Sequence, residues 1–194
     1  MLKELIRENR SRRRFYQEHA IGHETLTDLI DLARLSPSAA NLQPLRHILS
    51  CDPKINEQIF SCLGWAAYIK DWPGPKEGER PSAYIVVMQD SHLSNDYIAY
   101  DCGIAAQSIL LGAVEKGLGG CMIASVNRKK LAAIIDAPSE YKILLVIALG
   151  RSRETALIEE MDADGNVRYW RDETGVHHVP KRNIEDIITR SYVP

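Results

Sequence analysis

The sequence predicts a single domain of the α+β or mixed α/β class, with helices and strands that alternate loosely along the chain. Apolar residues recur at helical spacing in several segments, and short apolar runs rich in β-branched residues are typical of buried strands. The chain has 194 residues, which suits one domain with a sizeable core, and no internal repeat or low-complexity segment divides it. We therefore expect residues 1–194 to form one domain.

The N-terminal third is predicted to hold three helices and one strand. Helical spacing of apolar residues predicts helices near Leu2–Ile6, over about 24–35 and over 54–62. The second helix should end at Ser36, because the residue before Pro37 is biased out of the helical region. Asp52–Pro53 places a proline in the first turn of the third helix, where its missing N–H is tolerated, and 46–51 is predicted as a strand.

The middle of the chain is organised around a long apolar helix, which is predicted over 96–116. Its apolar residues cover most of its faces, so the helix should be buried, and Gly117 and Gly119 end it. A loop rich in proline and glycine over 71–81 precedes a strand predicted at 83–88, whose apolar residues indicate that it is buried.

The C-terminal part is predicted to contain two strands, two short helices and an irregular stretch. The strands are predicted at 120–126 and 143–149. Asn127 can cap a helix that runs to about Ile135, and Asn183 can cap a final helix over 184–190. Residues 151–179 are polar and are predicted to be irregular.

Composition and charge argue against several classes of function. The net charge is −2, so the molecule as a whole is not suited to binding nucleic acid or anionic lipid. The N-terminal residues lack the apolar core of a signal peptide, and no apolar run approaches the roughly 18 residues of a membrane span. The four cysteines form no Cys-x-x-Cys pair, which favours reduced thiols and a cytoplasmic location. We expect neither a membrane nor a nucleic acid as a partner.

A dense arginine stretch near the N-terminus is the first candidate functional feature. Five arginines lie within eight positions, namely Arg7, Arg10, Arg12, Arg13 and Arg14. Arginine presents a planar fork of donors that matches phosphate oxygens, so a phosphate site is one interpretation. A nucleic-acid patch is a second, although such patches commonly add aromatic residues for stacking. A solvated face without a function is a third, and the stretch alone leaves all three open.

A turn rich in small and polar residues, Ser38–Pro44, follows the second predicted helix and precedes a strand. Its small side chains would allow a flat ligand to approach the backbone, and Asn41 offers both a donor and an acceptor. Serine, asparagine and proline are also common in ordinary connecting loops. The turn by itself therefore favours a connecting loop over a ligand site.

Four segments in order resemble the FMN-dependent nitroreductase family. Arg10–Phe15 is similar to the family's N-terminal Arg-Ser-x-Arg-x-Phe motif, and Ser36–Pro44 resembles its Pro-Ser-x-x-Asn-x-Gln-Pro turn. Asp101–Gln107 opens a helix like the family's long central dimer helix, and Val179–Arg182 resembles its closing basic motif. The order and spacing match over nearly the whole chain.

The resemblance implies a fold, an assembly and a cofactor. Members of the family have a central, mostly antiparallel sheet flanked by helices, and they form an intertwined homodimer that holds FMN at its interface. By this resemblance, the FMN phosphate is held by Arg10, Ser11, Arg13, Lys181 and Arg182. The flavin ring is contacted by Met122, Ile123, Ala124 and Ser125, with the Ala124 backbone N–H near N5. The other subunit contributes Pro37, Ser38, Ala39 and Asn41.

The resemblance also implies a reaction. Electrons pass from NAD(P)H to a small oxidised substrate, such as a nitroaromatic or a quinone, in two half-reactions that share one ring face and therefore follow ping-pong kinetics. The flavin carries the chemistry, so no catalytic side chain is assigned. Trp65, Tyr68 and Trp72 either form a wall over the flavin or, in the favoured interpretation, serve as core and loop anchors. His177–His178 with Cys121 fits no zinc spacing, so no metal is expected.

Two alternatives remain open. A flavin-binding dimer could serve a different reductive role, such as dehalogenation, or the arginine stretch could belong to a nucleic-acid-binding module. The absorbance of bound FMN in the purified protein would separate the flavin hypotheses from the nucleic-acid hypothesis. Affinity for nucleic acid that falls steeply with salt would support the latter.

Overall fold

The computed structural model of the protein describes residues 1–69, 72–93 and 95–193. The helices are α1 (Leu2–Glu8), α2 (His23–Leu35), α3 (Pro53–Phe60), α4 (Ile98–Glu115), α5 (Arg128–Ile134) and α6 (Ile184–Ile187). The strands are β1 (Leu45–Ser50), β2 (Ala83–Asp90), β3 (Gly119–Ile123), β4 (Tyr141–Gly150), β5 (Ala156–Glu160), β6 (Trp170–Arg171) and β7 (His177–Lys181). Every element that the sequence predicted before residue 150 is present, with ends that differ by a few residues.

Strands β1 to β4 form one antiparallel sheet in the order β1-β2-β4-β3, which confirms the α+β class and the mostly antiparallel sheet. Alternate side chains of β2 point to opposite faces, so Ile85 joins one core cluster and its neighbour Val86 joins the other. Helices α2 and α4 cover the first face, and α3 and α5 cover the second. The sheet is therefore the buried middle layer of three.

Two helix starts follow the capping signals in the sequence. Asp52 accepts the backbone N–H groups of Lys54 and Ile55, each at 2.9 Å, at the start of α3. Asn127 accepts the N–H of Lys130 at 3.1 Å at the start of α5. Both side chains satisfy donors that the first turn of a helix leaves without an internal partner.

Helix α4 packs closely against α2 in the core. An added Cβ at Gly112 would clash with Leu32 Cδ1, so the two helices pack closely at a position where α4 has no side chain. With 18 residues and a mean hydropathy of 1.2, α4 is long and apolar enough to cross a membrane by these criteria alone, which the sequence prediction did not anticipate. A core helix of a soluble protein meets the same criteria, and eight residues of α4 are buried in the chain.

The C-terminal part differs from the sequence prediction. Residues 151–179, predicted to be irregular, contain β5, β6 and most of β7, which form a second sheet in the order β5-β7-β6. The pairing of β5 with β7 is parallel and aligns Ala156 with His177. The parallel pairing of β5 with β7 joins distant residues and leaves no hairpin signal in the sequence. The antiparallel pairing of β6 with β7 is a short hairpin, and β6 is only two residues long, so its apolar pattern is too short to predict a strand.

The final helix is also shorter than predicted. It covers Ile184–Ile187 rather than 184–190, and the Asn183 side chain makes no capping hydrogen bond. The helix buries no residue. Further turns would therefore lose chain entropy without gaining buried contacts that offset this loss. The predicted loop over 71–81 contains neither helix nor strand in its described residues, and its first residue, Asp71, lies outside them.

Candidate functional site

The N-terminal arginine segment lies beside β3, an edge strand of the central sheet. The backbone N–H of Arg12 donates to the Gly120 carbonyl at 3.0 Å, and Ser11 forms a parallel bridge with Gly120. Phe15 is fully buried, and its ring fills the space that a side chain at Gly150 would need, 2.7 Å from an added Cβ. These contacts hold the segment against the sheet.

Arg12 and Arg14 each bond to a glutamate that lies far along the chain. Arg14 makes a two-bond ion pair with Glu79, and this hydrogen bonding raises the pKa of Arg14. Arg12 donates from Nη1 to the Glu154 carbonyl at 2.9 Å. The interpretation of the stretch as a solvated face is therefore wrong for Arg12 and Arg14, which fix the segment in place.

The buried carboxylate of Glu154 fixes the main chain at Arg13. One oxygen accepts the backbone N–H of Arg13, and the other accepts Arg171 Nη2 at 3.0 Å. The Glu154 side chain is only 1% exposed, so water competes little for either bond. Glu154 thus joins the N-terminal segment to β6, which carries Arg171.

A pocket of about 180 Å³ brings the two ends of the chain together. It is lined by Asn9, Arg10, Ser11, Arg13, Tyr169, His177, Val179 and Lys181. Four of the five residues predicted around one phosphate, Arg10, Ser11, Arg13 and Lys181, therefore line one pocket. The fifth, Arg182, is exposed and does not line it. Strand β7, which the sequence prediction missed, is the element that carries Lys181 to this pocket.

The basic pocket, as we call this pocket, has the donors of an oxyanion site. Arg10, Arg13 and Lys181 contribute three cationic groups, and no carboxylate is among the lining residues. Arg10 Nε is buried and has no hydrogen-bond partner among the described residues, and burial lowers the pKa of Arg10. Guanidinium and ammonium groups make their strongest hydrogen bonds to anionic oxygens. The residues present therefore fit a phosphate group.

His177 is a neutral member of the basic pocket. Arg13 Nη1 lies 3.3 Å from His177 Nε2, and because a guanidinium only donates, Nε2 must accept. Burial, with the positive charge of Arg13 as the next cause, lowers the pKa of His177 to about 4. The imidazole is thus uncharged at neutral pH, with its proton on Nδ1, which has no partner among the described residues.

Tyr169 and His177 are pocket residues that the sequence prediction did not assign. The Arg13 guanidinium lies 4.9 Å from the centroid of the Tyr169 ring. Tyr169 also packs against His177 and Tyr68, each with 5.1 Å between ring centroids. The only signal in the sequence was an aromatic pair, Tyr169–Trp170, in an otherwise polar segment, and nothing there indicated that it faces Arg13.

The three aromatic residues before β2 divide between two roles. Trp65 packs edge-on against Trp72 with 6.5 Å between centroids, and Arg171 lies 5.0 Å above Trp72. These two tryptophans anchor the loop, as the favoured interpretation expected. Tyr68 instead extends the aromatic wall of the basic pocket through Tyr169.

His178 and Cys121 have structural contacts, His178 in the second sheet and Cys121 in the central sheet. His178 lies between Glu159 and Asp172, whose hydrogen bonds raise its pKa, and stacks on Trp170 with 4.0 Å between centroids. Cys121 is buried in the core of the central sheet, and burial raises the pKa of its thiol to about 12. Each side chain is thus engaged in packing or pairing within its own sheet.

The outer edge of β3 is open next to the basic pocket. Strand β3 pairs with β4 on one side, and within the described residues its other side is bridged only at Gly120, to Ser11. Val126, three residues beyond the strand, is bridged to Leu63. The Gly120 carbonyl points towards the N-terminal segment. Because peptide groups alternate in direction along a strand, those of Met122 face the same open edge.

The four residues predicted to contact the flavin ring differ in what they can offer. Met122 is 48% exposed, and Ala124 and Ser125 are exposed as well. The Ile123 side chain is buried in the core, so Ile123 can contact a ligand at this edge only through its backbone. The small side chains of Ala124 and Ser125 leave the space beside the edge open.

The turn predicted to contact the flavin lies elsewhere in the chain. Pro37 and Ser38 line a second pocket, of about 280 Å³, together with Asp101, and Ala39–Asn41 forms a 3-10 turn. In the described part of the chain, this pocket and the basic pocket share no lining residue. The turn and the basic pocket residues therefore line separate pockets.

Comparison with known proteins gives one family. The model described as the nitroreductase family matches residues 6–151. The matched range includes the arginine segment, the turn, α4 and the whole central sheet. The second sheet, which carries Tyr169, His177 and Lys181, lies beyond it.

Individual relatives are distant but cover most of the chain. A provisionally named NADH dehydrogenase/NAD(P)H nitroreductase of Archaeoglobus fulgidus is 26% identical over 156 residues, covering 77% of this chain and 84% of that protein. An iodotyrosine deiodinase of Thermotoga neapolitana is 25% identical over 164 residues, covering 77% and 88%. The solved structure of an FMN-dependent nitroreductase from Clostridium difficile is 25% identical, with a TM-score of 0.62 and coverage of 77% and 86%.

Proposed function

Because this chain belongs to the nitroreductase family, we propose that it is an FMN-dependent oxidoreductase that passes electrons from NAD(P)H to a small oxidised substrate. Nitroaromatic compounds, quinones and similar flat acceptors are the expected substrates. Residues 1–194 form one FMN-binding domain, and two copies of the chain form the functional unit.

The basic pocket carries this proposal. The phosphate of FMN has close to two negative charges at neutral pH, and a partly desolvated dianion needs several charge-assisted hydrogen bonds. Arg10, Arg13 and Lys181 would supply them, and the Ser11 hydroxyl is a further donor. Three cationic groups around one pocket without a carboxylate would repel each other unless an anion lay between them. An anionic ligand accounts for their convergence from opposite ends of the chain.

The open edge of β3 supports the placement of the flavin ring beside the basic pocket. When bound, FMN would supply the redox chemistry that links the nicotinamide to the acceptor. The Ala124 backbone N–H is the group that we expect to donate to N5, where charge develops on reduction. Small side chains at Ala124 and Ser125 leave one ring face accessible, and two substrates that use this face in turn give ping-pong kinetics.

Exposed apolar side chains support a homodimer. On α4 and just before it, Tyr97, Tyr100 and Ile104 are exposed. The C-terminal segment exposes Ile184, Ile187, Ile188, Tyr192 and Val193. Exposed apolar side chains in such numbers are commonly covered by a partner. A second copy would also bring the turn at Pro37–Asn41 to the flavin of its partner, as the family resemblance implies.

A spectrum of the purified protein tests the proposal. We expect the absorbance bands of FMN, either as purified or after FMN is added and excess is removed. Anaerobic titration with NADH and with NADPH should bleach these bands, and nitroaromatic and quinone acceptors should restore them. Initial rates with both substrates varied should give parallel double-reciprocal lines. A colourless protein that takes up no added FMN would refute the proposal.

A reductive dehalogenase is the second candidate, because the iodotyrosine deiodinase of Thermotoga neapolitana is among the relatives. The two candidates share the flavin and differ in the acceptor. Reduced protein offered iodotyrosine should release iodide if the second candidate is correct. Reoxidation by nitroaromatics without iodide release would favour the first.

A nucleic-acid-binding role is less well supported, because Arg12 and Arg14 are turned to partners within the chain. We expect no binding to DNA or RNA at low salt, where electrostatic attraction is strongest. Affinity that falls steeply with added salt would revive this alternative.

A further inference from the structure

The turn after α2 holds an unusual backbone. Ala40, Asn41 and Gln43 have positive φ angles of 48°, 54° and 48°. For residues other than glycine this region is sterically unfavourable, although asparagine tolerates it better. Such strain persists only where the surroundings fix it, and it concentrates at functional sites. The bonds that fix this turn are therefore informative.

One of these bonds comes from within the turn and one from α4. The Gln43 N–H donates to Ser38 Oγ at 3.0 Å and closes the turn on itself. The Ala39 N–H donates to Asp101 Oδ1 at 2.8 Å, across 62 positions of sequence. Asp101 is 3% exposed, so this bond is shielded from water and ties the strained turn to the core helix.

The second oxygen of Asp101 has no partner. Asp101 Oδ2 is buried and accepts no hydrogen bond from any described residue. A buried carboxylate that makes a single hydrogen bond is a costly arrangement for a protein interior. If the side chain served stability alone, an apolar residue would be the better choice. The position of Asp101 at the base of the turn points to a role in shaping it.

We propose that Asp101 is a positioning residue for the cofactor: it holds the Ala39 N–H and so keeps the turn in the conformation that presents Ser38 and Asn41 to the flavin of the partner subunit. This inference rests on the proposed function, because the contact between the turn and the flavin is part of that function. It adds a residue that does not touch the cofactor and acts through the turn.

Three substitutions at this position test the inference. Asp101→Ala removes the acceptor, and we expect the dissociation constant for FMN to rise at least tenfold. Asp101→Asn keeps an oxygen that can accept the Ala39 N–H and should stay within threefold of the unmodified protein. Asp101→Glu keeps the charge and moves the oxygen by one methylene, so its FMN affinity should also fall, with less risk to folding.

Two further readouts separate positioning from a general loss of stability. Hydrogen exchange in the FMN-free protein should show a protected amide at Ala39, and this protection should disappear in Asp101→Ala and remain in Asp101→Asn. At saturating FMN, the visible circular dichroism of the bound flavin should change in Asp101→Ala and Asp101→Glu. A merely structural role would lower the melting temperature and leave the spectrum of the saturated protein unchanged.

Cys102→Ala is the matched control. Cys102 is the next residue of the same helix, is buried in the core cluster, and makes no hydrogen bond to the turn. Cys102→Ala should lower the melting temperature without changing the visible circular dichroism of the bound flavin. If the unmodified protein binds FMN and Asp101→Ala and Asp101→Glu bind it equally well, the role of Asp101 is refuted and the proposed function stands. If the unmodified protein binds no FMN, the proposed function itself fails.

Discussion

Arg14 and Glu79 form a two-bond ion pair, in which Arg14 Nε donates to Oε2 at 2.7 Å and Nη2 donates to Oε1 at 2.8 Å. The Glu79 side chain is 7% exposed, so the pair is shielded on the carboxylate side. It fixes the N-terminal segment to the loop before β2. Arg14 therefore has a structural role, whereas Arg10 and Arg13 of the same stretch line the basic pocket.

Glu79→Gln should lower the free energy of unfolding by about 2 kcal/mol, because one of the two charge-assisted bonds between Arg14 and the buried Glu79 side chain is lost. For a chain of this size the melting temperature would fall by roughly 4–8 °C. Glu77→Gln, an exposed neighbour, is the control and should change the melting temperature by much less. Equal melting temperatures for the two variants would show that the pair does not stabilise the fold.

The Arg14–Glu79 pair also predicts a pH dependence. The hydrogen bonds from Arg14 lower the pKa of Glu79 below its ordinary value. The stability that the pair contributes is therefore present above the ordinary carboxyl pKa and is lost as the pH falls through the lowered one. Denaturant unfolding measured from pH 6 downwards should show a smaller decline for Glu79→Gln than for the unmodified protein. Parallel curves would contradict this assignment.

Arg13→Ala and Lys181→Ala should each raise the dissociation constant for FMN about tenfold or more, since each removes one charge-assisted bond to the phosphate. Arg7→Ala and Arg182→Ala are the controls, because both residues are exposed and lie outside the basic pocket. Quenching of FMN fluorescence on titration with FMN-free protein measures all four. An effect of Arg182→Ala as large as that of Lys181→Ala would mean that Arg182 also holds the phosphate, as the family resemblance implies, and that the basic pocket is not the whole phosphate site.

The pKa values of the two adjacent histidines should be shifted in opposite directions from the ordinary value. Burial lowers the pKa of His177 to about 4, so its contribution to stability is present above the ordinary value of 6.5 and is lost as the pH falls towards 4. Hydrogen bonds to Glu159 and Asp172 raise the pKa of His178, so its contribution is present below 6.5 and is lost as the pH rises through the raised value. NMR titration of the imidazole resonances, assigned with His177→Gln and His178→Gln, checks both. A shared midpoint near 6.5 would contradict the geometry.

One of the four thiols should react quickly in the folded protein. Cys51 is half-buried, whereas Cys62, Cys102 and Cys121 are buried, and burial raises the pKa of Cys102 and of Cys121. Because the thiolate is the reactive form, an aromatic disulfide reagent should label Cys51 first. Cys51→Ser should abolish the fast phase, and all four thiols should react in denaturant. Rapid labelling of more than one cysteine would indicate that the core opens readily.

The first 150 residues were predictable because their signals are local. Apolar periodicity predicted the helices, and β-branched runs predicted the central strands. Asp52 and Asn127 predicted two helix starts, because each side chain caps backbone N–H groups only two or three residues away. The second sheet was not predictable, because the pairing of Ala156 with His177 and of Trp170 with His178 depends on residues that are distant or weakly patterned. Tyr169 and His177 were missed as pocket residues for this reason.

The sequence by itself determined the order of the elements in the first 150 residues, a class of α+β or mixed α/β, and which side chains could hold a phosphate, because propensity, patterning and donor chemistry are properties of residue types. Only the tertiary structure decided that Arg12 and Arg14 bind internal partners while Arg10 and Arg13 line a pocket with Lys181. A pocket is defined by which residues meet, and β7 reaches the N-terminal segment only through long-range strand pairing and the buried carboxylate of Glu154. Neither leaves a local trace in the chain.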